Sequence, residues 1–478
     1  MKAAILIVLL FFVFNTFAQV SVNEQPFIRV NAPLVALVHV RVIDGMGTPP
    51  NEDQTILINE GKLQSVGPSA SIKIPSTAQI LDLKGYTVLP GLVGMHDHMF
   101  FPMGGSPPIY SDMGISFPRL YLALGVTTIR TTGSVAPFTD LEIKKRIDSG
   151  RMIGPKMHIT APYLEGVGAY TPVMHELTGP EDARRMVNFW ADEGATSFKA
   201  YMNITRDELR AAVEEAHKRG LKVTGHLCSI GFREAAELGI DDLEHSLFVD
   251  SEFVPDKKPD VCPGGQAVNA SLEKLDINSP EAKETIRLLV SKNVAITSTL
   301  PVFEASAPLT ENGIGGSRAL LNPRVLSVMS TDARVRYLTA RARVPANSPY
   351  PAIIRKTMNF ERAFVQAGGL LLAGLDPTGN GGVVAGFGDL REVELLVEAG
   401  FTPVEAIKIA SFNGAKFLGE DSRIGSVTVG KQADLMVVNG NPGADINDIE
   451  NVEIVFKAGV GYDSEKLIQS VQGLVGVR

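Results

Sequence analysis

From about residue 88 onward the sequence alternates short apolar runs with stretches of helical periodicity. The runs lie near 88–96, 126–131, 155–162, 195–201, 221–227, 240–246, 293–300 and 369–376. Strands alternating with helices build parallel βα units, because only a long crossover returns the chain to begin the next parallel strand. Eight such units in succession favour an α/β fold closed into a (β/α)8 TIM barrel over an open sheet. The helical stretches carry their own boundary signals. Thr205-Arg-Asp-Glu208 reads as a capping box, Leu209, Ala212, Val213 and Ala216 share one face, and Gly220 ends the segment. Thr402-Pro403-Val-Glu405 opens a later helix in the same way. The connections 247–280 and 301–352 exceed ordinary loop length and are expected to be lids or specificity loops.

The flanks read differently. Short β-rich runs separated by glycine turns fill residues 30–87, and strand-like runs return at 426–429, 434–438 and 452–456. The two ends are expected to meet in one small β-sandwich domain, built from 19–87 and 419–478 around a barrel spanning 88–418. Residues 3–14, AAILIVLLFFVF, follow a short positive start and precede Thr16-Phe17-Ala18. This is the pattern of a signal peptide over 1–18, cleaved before Gln19, and it predicts a periplasmic or secreted protein. An uncleaved anchor is the alternative, disfavoured by the short apolar length. No later segment is apolar enough to span a bilayer, so no membrane contact is expected of the mature form. The net charge of −8, without a basic run, argues against nucleic acid and anionic lipid as partners. A small-molecule substrate remains, and a homo-oligomer is compatible with the sequence. With only Cys228 and Cys262 the chain is no disulfide scaffold; one bridge is permitted, and two unpaired thiols are the favoured reading.

Eight histidines occur, and four of them sit at predicted strand ends. His96 and His98 end the first barrel strand; as i and i+2 they face the same way and can reach one metal. His226 ends strand five, His245 strand six, and Asp376 strand eight. The C-terminal ends of barrel strands are where chemistry is placed. A lone strand-end histidine is ordinarily structural, and an aspartate there can cap a helix, but the concerted placement favours ligands. Lys199 ends strand four. A lysine in an apolar strand is costly unless paired or neutral. A neutral amine can take up CO2 as a carbamate, an anion able to bridge two metals; the ordinary alternative is a salt bridge. Tyr201 faces the same way as Lys199 and could contact substrate or simply fill the barrel core. Arg130, at the end of strand two, could hold a substrate carboxylate, although a structural ion pair is the commoner use. His39, His158, His175 and His217 have weaker claims.

The run Leu89-Pro-Gly-Leu-Val-Gly-Met-His96-Asp-His98 resembles the opening motif of the amidohydrolase superfamily. So do Gly125-Val-Thr-Thr-Ile-Arg130, Ala373-Gly-Leu-Asp376 and Gly430-Lys-Gln-Ala-Asp434. Gly94 departs from the pattern, standing where many relatives carry aspartate. The resemblance implies a binuclear, usually zinc, site. His96, His98 and Asp376 would hold one ion, His226 and His245 the other, and carbamylated Lys199 would bridge them with a hydroxide. Metal-activated hydroxide would attack a carbonyl, with Asp376 as general base and then acid. The Phe198-Lys-Ala-Tyr201 context resembles the imidazolonepropionase-related peptidases, including Xaa-Pro dipeptidases. Amide bonds of dipeptides or N-acyl amino acids are therefore the expected substrates. A cyclic amidase or lactonase would use the same metals, and a one-metal deaminase is a further alternative.

Overall fold

The computed structural model describes residues 22–105, 108–308 and 322–477. The expected signal peptide, 1–18, lies outside them. All eight barrel runs form strands: β1 (Leu92–Gly94), β2 (Val126–Arg130), β3 (Lys156–His158), β4 (Ser197–Ala200), β5 (Lys222–Gly225), β6 (Asp242–Glu244), β7 (Ala295–Ser298) and β8 (Leu371–Ala373). They are parallel and lie in two pieces, β3-β2-β1 and β4-β5-β6-β7-β8. Hydrogen bonds link the pieces at both seams. Thr160 bridges Ser197 and Ala161 N donates to Ser197 O (3.0 Å). On the other side Met95 N donates to Ala373 O (2.8 Å) and Asp376 N to His96 O (2.9 Å). The catalytic unit is thus an α/β, barrel-like sheet wrapped by helices.

The strands are short and apolar because they are covered on both sides. Arg206–Lys218 illustrates the outer layer: Thr205 and Glu208 form the expected reciprocal cap, and Leu209, Ala212, Val213 and Ala216 are buried. Leu209 and Val213 each contribute about 1.5–3 kcal/mol by leaving water, and each alanine methyl about 0.8 kcal/mol. The helix ends at Lys218, two residues before Gly220, whose φ of +70° suits glycine. Among their described residues, the long connections carry helices. Helix Gly265–Lys274 lies in the first, and Leu300–Glu304, Pro323–Val328 and Thr331–Ala342 lie in the second.

The two chain ends do share one β unit, as a continuous nine-stranded sheet rather than two stacked ones. Strand Leu34–Val42 causes this. Its first half pairs with Gln79–Asp82 and its second half with Tyr86–Pro90, while Asn51–Asn59 runs along its other edge. The bend falls at His39, a non-glycine residue at φ +58° where the register shifts. The sheet then curls around one core containing Val35, Leu37, Ile56, Val88, Leu435 and Phe456. Two expectations need correcting here. The run 88–96 is not one strand: it divides at Gly91, with Tyr86–Pro90 in the nine-stranded sheet and Leu92–Gly94 in the barrel. Residues 426–429 are not a strand; Thr428 N donates back to Ser426 O (3.0 Å), closing a turn after Gly425.

The cysteines also differ from expectation. Cys228 and Cys262 form a disulfide across 34 residues. The connection after β6 folds back over the end of β5, where Ser251 Oγ donates to Cys228 O (2.6 Å) and Lys257 Nζ to Ser229 O (2.5 Å). That return brings together two cysteines distant in sequence. Closing such a loop stabilises a fold by about 3–4 kcal/mol in the chain-entropy picture.

Candidate metal centre

Residues at the end of β4 and just beyond β1, β5, β6 and β8 converge at one mouth of the sheet. His96 and His98 follow β1, where the chain leaves the barrel interior. The backbone of His96 passes so close to β8 that a Cβ on Gly374 would lie 2.5 Å from His96 N. This close approach is why glycine precedes Leu375 and Asp376, and it sets the carboxylate against the imidazoles. His96 Nε2 lies 3.8 Å from Asp376 Oδ2 and His98 Nε2 3.4 Å from Asp376 Oδ1. Ligand atoms of these three residues fall within 4.8 Å of one another. Lys199 Nζ, at the end of β4, is 3.1 Å from His96 Nε2. His245 turns Nε2 toward Asp376 Oδ2 at 4.0 Å, and its ring centroid is 4.5 Å from those of both His96 and His226. All six residues singled out as ligands therefore meet at one place.

The far nitrogens of three rings are held. His96 Nδ1 faces Glu244 Oε2 (2.6 Å), His98 Nδ1 faces Gly133 O (3.0 Å), and His245 Nδ1 faces Thr299 Oγ1 (2.7 Å). A carboxylate or carbonyl at Nδ1 fixes a proton there and frees the Nε2 lone pair inward. His245 Nε2 is buried with no hydrogen-bond partner. An orphaned imidazole nitrogen aimed at a carboxylate and a lysine is a donor set that a divalent ion completes.

Electrostatics agree. Burial lowers all four imidazoles, His226 to about 3, so each is in the neutral, ligating form. Burial lowers the Lys199 amine to about 8, against the pull of Glu244 and Asp376. Burial would raise the Asp376 carboxyl, but the facing His96 and His98 rings and Lys199 hold it below the usual range. His245, Ser246 and Asp376 adopt φ of +68°, +53° and +51°. Non-glycine residues seldom do so, and such strain concentrates where side chains must be aimed.

The other sequence candidates divide. Tyr201 lines the cavity above the metal ligands, beside the His226 ring at 4.9 Å. Arg130 does not reach the cavity. It is buried inside the sheet, donating to Asp242 (2.7 Å), Glu244 (2.8 Å) and Met95 O (2.7 Å). Its alternation in β2 points it inward, so it supports Glu244 instead of holding substrate. His39, His158, His175 and His217 pair with Asp82, Glu420, Asp182 and Asp241, away from the centre. Sequence reading missed Glu244 and Thr299. Their signals were present: Asp242 and Glu244 alternate in a buried strand facing Arg130, an ion-pair pattern. Gly94 also has its explanation. A Cβ there would lie 2.0 Å from Asp97 Oδ2. The Asp97 carboxylate fills the space that a side chain at 94 would take.

The sequence matches the amidohydrolase family over residues 87–460. The chain belongs to the amidohydrolase family. It is a metal-binding hydrolase of that superfamily, and its fold is shared with solved relatives of low identity. An Xaa-Pro dipeptidase solved with methionine in its active site is 21% identical, covers 90% of this chain and 100% of its own, and has a TM-score of 0.66. A bottromycin amidohydrolase is 19% identical over 92% of this chain and 91% of its own, with a TM-score of 0.66. The ochratoxinase of A. niger is 19% identical over 90% of this chain and 95% of its own, with a TM-score of 0.61. No curated protein matches the sequence. Among the described residues no helix is long and apolar enough to cross a membrane.

Proposed function

We propose that this amidohydrolase is an exported binuclear-metal enzyme that hydrolyses amide bonds of dipeptides or N-acyl amino acids. The observation that carries the reading is the convergence of four neutral imidazoles, Lys199 and Asp376 at one sheet mouth. The hydrogen bonds at both seams support a closed (β/α)8 barrel, and its C-terminal mouth is where such enzymes work. His96, His98 and Asp376 would hold one ion, and His226 and His245 the second. Lys199, as a carbamate, would bridge them; its lowered pKa supports a reactive neutral amine. Zinc suits the imidazole and carboxylate set. When bound, the metals supply an activated hydroxide and polarise the scissile carbonyl.

The chain's own contribution is proton handling and orientation. Asp376 offers one oxygen to His98 and the other to His96 and His245. A carboxylate so placed accepts the proton of the attacking water and returns it to the leaving amine. The tight His96–His98–Asp376 triad would also suit a one-metal deaminase, and metal stoichiometry separates the two readings. Export is supported by the apolar N-terminal run and by the Cys228–Cys262 bond, which an oxidising compartment preserves. The deciding experiment loads the mature protein with zinc, counts ions per chain, and assays a panel of dipeptides, N-acyl amino acids, cyclic amides, lactones and aminopurines. About two ions with amide turnover supports the proposal; one ion with ammonia release from aminopurines would replace it. N-terminal sequencing of the exported protein should begin near Gln19.

A further inference from the structure

Above the metal ligands, the cavity is walled by rings from three separate parts of the chain. Phe100 and Tyr110 come from a hairpin after β1, formed by Phe100–Gly104 and Ile109–Asp112. Tyr163, Tyr170 and Met174 come from the connection after β3, and Tyr201 follows β4. The rings form a connected box. Phe100 stacks on His98 (centroids 4.4 Å) and meets Tyr110 edge-on (5.0 Å). Tyr163 meets Tyr201 edge-on (4.7 Å), and Tyr170 lies 6.1 Å from Tyr201. The Tyr110 and Tyr170 hydroxyls meet at 2.5 Å and close the outer side. Tyr170 is 40% exposed, so this closed side is the one that faces solvent.

The chemistry of these walls is narrow. Burial raises the Tyr110, Tyr163 and Tyr201 phenols, so they stay neutral and offer hydrogen-bond donors rather than charge. The Arg130 guanidinium, whose charge is felt at His96 and Lys199, is engaged by Asp242 and Glu244 beneath the ligands. Beside the aliphatic Val135, what the box presents is ring faces and edges, one thioether and neutral hydroxyls. Ring edges against ring faces and sulfur beside rings are the contacts that hold a further aromatic group.

We propose that the substrate carries an aromatic ring beside the scissile amide, and that Tyr110 and Tyr170 select it. This deepens the amide-hydrolase reading and rests on it. The cavity holds only about 60 Å³, less than the roughly 150 Å³ that takes a benzene ring, so a ring entering from the Tyr170 side parts the Tyr110–Tyr170 contact and then lies among Phe100, Tyr110, Tyr163 and Tyr170. The amide next to it then falls over His98, Lys199, His226 and Asp376, which floor the same cavity. An aliphatic residue gains burial there but not the edge-to-face contacts, so phenylalanine should exceed leucine as well as alanine.

The test compares kcat/KM of zinc-loaded protein for Phe-Ala, Ala-Phe, Leu-Ala, Ala-Leu and Ala-Ala. One phenylalanine isomer should exceed Ala-Ala by on the order of 10- to 100-fold, and exceed its leucine counterpart. Tyr170→Ala should collapse that ratio, whereas Tyr170→Phe should keep most of it. Met174→Ala serves as a second variant, and metal content with thermal melting confirms that each variant is folded. Equal turnover of all five dipeptides, or a ring preference unchanged in both alanine variants, would overturn the inference and leave the amide-hydrolase reading standing. If no amide is turned over, the functional reading fails instead. Calorimetric binding of 3-phenylpropanamide against propanamide then still reads the box: tighter binding of the ring compound, lost in Tyr170→Ala, supports it, and equal binding refutes it.

Discussion

Glu244 Oε2 lies 2.6 Å from His96 Nδ1, and this buried contact decides which nitrogen His96 presents to a metal. Glu244 is itself fixed by Arg130 Nη2 at 2.8 Å and by the Thr224 hydroxyl. The chain Arg130–Glu244–His96 therefore carries orientation from inside the sheet to its mouth. Such outer partners ordinarily matter to affinity by 10- to 100-fold. Glu244→Gln should weaken metal retention by about that factor while leaving the helical circular dichroism intact. Competition with a chelator measures it. Retention equal to the parent protein would assign His96 orientation to its backbone alone.

Asp376 is placed to ligate and to move a proton. Asp376→Asn keeps the shape and one ligating oxygen but removes the base. Turnover should fall by roughly two to four orders of magnitude, with much smaller change in inhibitor binding. Metal content, kcat and inhibitor affinity measured on one preparation check this. Near-normal kcat with metals bound would move the proton work to another group.

Lys199→Ala should remove the bridging anion. The variant is expected to hold no more than one ion per chain by elemental analysis, and short carboxylic acids added with metal should restore part of the second occupancy. Full occupancy without Lys199 would exclude a bridging role.

The metal-free protein should lose stability in acid. Its ligand imidazoles are held neutral by burial, with His226 at about 3, while an unfolded histidine titrates near 6.5. Between these values the unfolded chain binds more protons, so the contribution is complete above about pH 6.5 and is lost as pH falls toward 3. Asp376, also held low in the fold, acts in the same direction. Urea midpoints of chelator-treated protein should drop between pH 7.5 and 5. A flat profile would mean that the buried rings titrate as they do in the unfolded chain.

Gly94 and Asp97 should be energetically coupled. A Cβ at 94 would sit 2.0 Å from Asp97 Oδ2, so Gly94→Ala should cost about 1–3 kcal/mol, the scale of overpacking. Adding Asp97→Ala should recover part of that loss, giving a non-additive double-mutant cycle. Additive losses, followed by thermal denaturation, would show that the space is not shared.

Much of this was legible in the sequence for a physical reason. Apolar runs bounded by glycines and caps locate strands and helices, and all eight barrel strands lie within the expected runs. Strand-end histidines are conspicuous because a buried imidazole without a task is costly. What escaped depends on contacts distant in sequence. Arg130 is compatible with either a substrate carboxylate or a structural ion pair until Asp242 and Glu244 are seen opposite it. Cys228 and Cys262 look unpaired until the connection after β6 folds back. Tyr110 and Tyr170 look like ordinary loop residues until two insertions meet over the cavity. Val427 and Val429 have strand composition, but the chain turns at Ser426 and no strand pairs there.

The shared space between Gly94 and Asp97 also limits how this mouth could be re-engineered. A side chain at 94 and the Asp97 carboxylate exclude each other. An acid can therefore be installed at position 94 only after Asp97 has been replaced by a smaller residue, so the order of the two substitutions, and not only their sum, decides whether the intermediate protein stays folded.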